Sequence, residues 1–143
     1  MTNLKMKATL LFTAMPAYLL MTSLAVADSE QQAAIDHGAV QLSSEEIEAL
    51  VVGNTVTAKA GEKVFNFHYG TDNVIAGELV GGGWSGTGYY GITDQDSVCL
   101  SMAQDKGRLR CMTIMKQDGA FRKYSATGEL TFELLEVRTG NRL

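Results

Sequence analysis

Val98-Cys99-Leu100-Ser101-Met102-Ala103-Gln104-Asp105-Lys106-Gly107-Arg108-Leu109-Arg110-Cys111-Met112 is the stretch that decides the fold. Two short runs flank Asp105-Lys106-Gly107, a turn-prone trio in which Asp can hydrogen-bond its own backbone and Gly accepts a left-handed φ. With the turn centred on Asp105, antiparallel pairing sets Ser101 opposite Leu109 and Cys99 opposite Cys111. Residues facing one another at a non-hydrogen-bonded pair have Cα atoms roughly 4.5 Å apart, at the short end of bridging reach. Register and disulfide therefore predict each other. The chain has only these two cysteines, and their spacing is far from the CxxC of redox or zinc sites. A structural bridge is the expectation.

The alternation continues in both directions. Strands are expected over 55–59, 63–69, 74–80, 87–93, 98–103, 108–116, 120–125 and 130–137, separated by segments such as Gly70-Thr71-Asp72-Asn73 and Gln117-Asp118-Gly119 whose residues favour turns. Consecutive short strands with tight turns describe an antiparallel meander. An open meander leaves two exposed edges, which native sheets avoid. The expected fold is therefore mainly β: a meander closing to a small lipocalin-like barrel or half-barrel, with a two-sheet sandwich as the alternative. Bilayer-spanning strands need about 9–11 residues, more than most of these runs supply.

One short N-terminal helix precedes the strands. Ser43 and Glu46 have capping-box spacing, Leu42 and Ile47 stand as the two halves of a hydrophobic staple, and Gly53 can end the helix in a left-handed conformation. Ile47, Leu50 and Val51 make one apolar stripe. A helix this short needs tertiary support, so the stripe must dock on the sheet. No second helix of useful length is expected. Residues 28–41, polar and weakly patterned, are read as a flexible lead-in to a single β-rich domain over 42–143.

The chain opens with Lys5 and Lys7 ahead of an uncharged, largely apolar run over 8–24, followed by Ala25-Val26-Ala27. Basic residues, an apolar run and a small-x-small site constitute a signal peptide over 1–27, with cleavage after Ala27. The alternative, an uncleaved anchor, is disfavoured by Pro16 within the run and by the well-formed cleavage site. Cleavage leaves 116 of the 143 residues, with 10 basic and 16 acidic side chains and a net charge of about −6. That is enough chain for one domain. An acidic protein of this kind is not expected to bind nucleic acid, and no transmembrane span remains after processing. The expected location is periplasmic or secreted.

No catalytic constellation can be assembled. Gly81-Gly82-Gly83-Trp84-Ser85-Gly86 matches the letters of GxGxxG, yet a strand follows where a dinucleotide site needs a helix N-terminus. Ser85 lies in a near match to GxSxG, but Thr87 replaces the last glycine and His37, one of only two histidines, sits in the lead-in. Alternation places His68 with Asn66 on the outer face, away from Phe65, Phe67 and Tyr69. Asp94-Gln95-Asp96-Ser97 offers alternate oxygen ligands without the flanking pattern of a calcium loop. No cofactor or metal is called for.

Two surfaces remain as candidates. Phe65, Phe67, Tyr69, Trp84 and Tyr90 fall on faces that turn toward the barrel interior, where they either pack as core or line a ligand pocket. Lys106, Arg108, Arg110, Lys116, Arg122 and Lys123 hold six of the ten basic residues left after processing. Arg108, Arg110 and Lys116 share one side of their strand, opposite Leu109, Cys111, Thr113 and Met115. This reads as a basic stripe that could meet an anionic envelope component, or as a solvated outer face.

Leu42-Ser43-Ser44-Glu45-Glu46-Ile47, Gly53-Asn54-Thr55, Gly83-Trp84, Cys99, Cys111 and Gly140-Asn141 together resemble a family of small exported proteobacterial proteins carrying a domain of unknown function. The resemblance implies a periplasmic or secreted helix-plus-β domain and supplies no activity or site residues. The functional expectation is a small exported binding protein that accepts an apolar ligand. The alternatives are an envelope- or host-directed interaction or inhibitor domain using the basic hairpin 106–123, and, third, an enzyme built around His68.

Overall fold

Tight turns of defined chemistry set the strand registers. At Asp118-Gly119 both residues take positive φ, 51° and 78°, the conformation that matches a two-residue loop to the twist of its strands. It pairs Gln117 with Ala120 and, three residues further in, Ile114 with Lys123. At the Asp105 turn a short 3-10 segment, Ala103–Asp105, leads into Lys106 and Gly107 at φ 55° and 69°. The pairs Ser101 with Leu109 and Cys99 with Cys111 form as expected, and the two cysteines are disulfide-bonded.

The structure is a computed structural model that describes residues 27–143; the expected signal peptide lies outside them except for Ala27. In chain order the described residues form α1 (Glu30–Asp36), β1 (Val40–Gln41), α2 (Ser44–Val51), β2 (Asn54–Ala60), β3 (Lys63–Tyr69), β4 (Val74–Leu79), β5 (Ser85–Thr93), β6 (Ser97–Met102), β7 (Leu109–Gln117), β8 (Ala120–Ser125) and β9 (Leu130–Thr139). Each strand from β2 to β9 pairs antiparallel with the next, and β9 returns to pair with β2, Asn54 opposite Thr139. The result is a closed eight-stranded up-and-down barrel, neither a half-barrel nor a sandwich. A bulge at Thr57/Ala58 accommodates the closing seam, as bulges do where a sheet must bend.

Residues 28–41, expected as a flexible lead-in, instead form α1 and β1, so a second helix is present. Ser29 caps α1 by accepting from the Gln32 amide, and the Gln31 amide donates to the Gly128 carbonyl at 2.9 Å. The Gln31 side chain reaches Thr113 on β7. Strand β1 then pairs with β7 at Met115 and Lys116, beyond Met112, where the pairing of β6 with β7 ends. Ala34 and Ala39 cover Met115 and Tyr124 on the outside of β7 and β8.

Helix α2 stoppers one end of the barrel. Its capping box is complete: the Glu46 amide donates to Ser43 Oγ, and the Ser43 amide donates to the Glu46 carboxylate at 2.8 Å. Ile47 and Val51 are fully buried against a core that includes Val56, Ile75, Val98 and Ile114. Leu42 joins the same core and hydrogen-bonds the Ile114 carbonyl. The Asp96 carboxylate accepts from the Ser44 amide at 2.7 Å, so the turn between β5 and β6 holds the start of the helix. The Asp94–Ser97 turn thus spends an Asp96 oxygen on anchoring a helix.

Candidate functional site

Among the described residues, no α-helix covers the strand ends opposite α2. Alternation along β3 sends Phe65, Phe67 and Tyr69 inward, and the β4–β5 connection adds Trp84. The two phenyl rings stack at 5.7 Å between centroids; Trp84 stands edge-on to Phe65 at 5.6 Å, and Phe132 of β9 edge-on to Phe67 at 5.6 Å. Edge-to-face contacts of this kind fix ring positions and stabilise beyond simple burial. Gly77 makes the cluster possible, since a Cβ there would collide with the Phe67 ring and crowd Trp84. Gly88 on β5 serves strand pairing instead, since a Cβ there would strike the Ser101 backbone of β6.

These rings form one wall of a cavity of about 520 Å³; Leu79, Leu100, Met102 and Met112 form much of the rest. The volume falls within the range of small-molecule sites, about 300–1,000 Å³. Phe65, Phe67, Trp84, Leu100 and Phe132 all point into the barrel and yet stay only partly buried. Inward apolar side chains that no neighbour seals are what distinguish a well from a packed core. Tyr90, the fifth expected pocket residue, lies below: its ring meets Tyr69 edge-on at 5.0 Å, and its hydroxyl donates to the Gly70 carbonyl. Burial, reinforced by Tyr69 and by the carboxylates of Asp72 and Glu48, pushes the Tyr90 phenol upward.

The mouth is polar. Lys63, Gln104, Asp105 and Arg110 surround it. Arg110 Nε donates to Asp105 Oδ2 at 2.6 Å, and this hydrogen bond holds the Asp105 carboxyl below its ordinary range while pushing Arg110 up.

The floor carries a charge that the sequence reading placed outside. Lys123 lines the cavity although only 2% of it is exposed. Its ammonium donates to the Tyr69 hydroxyl and sits 5.0 Å from the centre of the same ring. Among the described residues no carboxylate lies within 4.0 Å of it. The other five basic residues do not join it. Lys106 and Arg108 mark the β6–β7 hairpin tip, and Arg110 faces the mouth. Lys116 lies against the Phe121 ring and Arg122 pairs with Glu133 at 3.6 Å. The expected stripe of Arg108, Arg110 and Lys116 is corrected accordingly: its side of β7 is the interior side, where Met112 and Ile114 are buried.

The remaining sequence candidates stay apart. Ser85 is exposed, His37 caps α1 through the Ala33 carbonyl, and His68 meets Thr55 on the outer face at 3.4 Å. Gly81, Gly82 and Gly83 take φ of 93°, 88° and 96°, turn geometry only they adopt without strain. Among the described residues no group of three His, Cys, Asp or Glu side chains could hold a metal, and no helix is long and apolar enough to cross a membrane. Comparison with known family models, curated proteins and solved structures finds no match to this chain.

Proposed function

We propose that this protein is an exported carrier or sensor that holds a small apolar molecule in the well of its barrel. The observation that supports it is the set of inward aromatics left partly exposed around a 520 Å³ cavity open at one end. Sealing such surface with a ligand gains roughly 25 cal/mol per Å² of apolar area removed from water. A cavity lined by fixed rings needs little rearrangement to accept one. The Lys5–Ala27 signal pattern, the resemblance to an exported family, and a disulfide suited to an oxidising compartment favour a periplasmic or secreted setting.

Trp84, the only tryptophan in the chain, lies in the wall and makes the test direct. An apolar fluorescent probe titrated into protein stripped of lipid is expected to bind saturably at one site and to quench or shift Trp84 emission. Native mass spectrometry of protein recovered from its own host is expected to show a mass above that of the processed chain. Unsaturable probe uptake together with a bare mass would refute the reading.

A further inference from the structure

We propose that the ligand is an amphipathic carboxylate, an aliphatic acid docked with its head inward on Lys123 and its chain along the aromatic wall. The inference rests on the reading of the cavity as a ligand well and adds the chemistry of what fills it.

Lys123 is a buried cation with incomplete hydrogen bonding. An ammonium has three donors and no acceptor. At Lys123 the Tyr69 hydroxyl takes one of them, and among the described residues no other side chain or carbonyl takes a second. Removing a cation from water is costly unless an anion and further hydrogen bonds compensate. Here the carboxylate that would compensate is not supplied by the protein, while the lysine borders a cavity large enough to bring one in.

The walls define the rest of the molecule. Phe65, Phe67, Trp84, Leu79 and Met112 offer rings and aliphatic or thioether groups, suited to a hydrocarbon chain. The opposite orientation, head at the mouth, gains less. Arg110 already has its carboxylate in Asp105, Lys63 is exposed to water, and exposed ion pairs contribute little. A bare apolar well would reject a carboxylate in favour of the matching alcohol, because the acid loses more hydration on entry. Preference for the acid is thus the signature of a cation inside.

The test is displacement of the apolar probe by dodecanoate, dodecanol and dodecylamine, each below its micelle concentration at neutral pH, from the processed, lipid-stripped protein. Dodecanoate is expected to bind roughly ten- to a hundredfold tighter than dodecanol, the size of a charge-assisted hydrogen bond, and dodecylamine weakest. Lys123→Met should abolish the acid's advantage and leave dodecanol binding in place; Arg122→Met, on the outer face, should keep the advantage. Equal binding of acid and alcohol by the unaltered protein overturns this inference but leaves the well intact. Acid preference surviving Lys123→Met also overturns it. Binding of none of the three removes the well itself. Should Lys123→Met not fold, a crystal structure of the unaltered protein with dodecanoate decides: a carboxylate on Lys123 Nζ supports the proposal, and one at the mouth overturns it.

Discussion

Single positions carry most of what is specific here. Asp105 and Arg110 form one charged pair at the rim, and its linkage to pH has a definite sign. Because Arg110 lowers the folded-state pKa of Asp105, the pair stabilises the fold above the carboxylate's unfolded pKa, and that contribution is lost as pH falls through the lowered folded value. Melting temperatures of the unaltered protein and Asp105→Asn should therefore differ at neutral pH and converge in acid. A gap that widens on acidification contradicts this assignment. Lys123 teaches a different lesson at the same scale. Phe121 and Lys123 share one side of β8, Arg122 and Tyr124 the other, so alternation offers a charge and an aromatic on each face and cannot choose. The Asp118-Gly119 turn does choose: its two-residue register sets Lys123 opposite Ile114, and that signal was open to sequence reasoning.

Among the elements, the register of the β6–β7 hairpin was legible, since turn chemistry and cysteine spacing imposed it independently, whereas the 3-10 segment Ala103–Asp105 at its tip was not. Its bridge closes a short loop, so reduction is expected to cost about 2–3 kcal/mol in the chain-entropy picture. Urea unfolding with and without reductant should show the midpoint fall with little change in slope; an unmoved midpoint would mean that the pairing of β6 and β7 alone holds the hairpin. Helix α2 was legible from Ser43, Glu46 and Gly53. Helix α1 was not, because Glu30–Asp36 buries none of its residues and so shows no apolar period; the Ser29 and Gln32 pair, with the spacing of a cap, is the one local signal that could have marked it. Missing α1 had a further effect. Met115 and Tyr124, buried on the outside by Ala34 and Ala39, made the outer side of β7 resemble the core side, and the basic residues of the true inner side were then read as surface.

At the scale of the whole molecule, the closed meander followed from strand count and edge avoidance, whereas the well did not. Whether inward rings meet or leave a gap depends on Gly77, where a Cβ would strike Phe67, and on the angles among Phe65, Phe67, Trp84 and Phe132, which no periodicity encodes. Closure itself has one more consequence. The seam joins Asn54 to Thr139, so the first barrel strand has no partner on one side until nearly the whole chain exists. A chain ended after Gly128, lacking β9, should not settle into a smaller ring. It should present the bare flanks of β2 and β8 to other copies and appear in gel filtration as large assemblies; a well-behaved monomer would show that seven strands can close without the eighth.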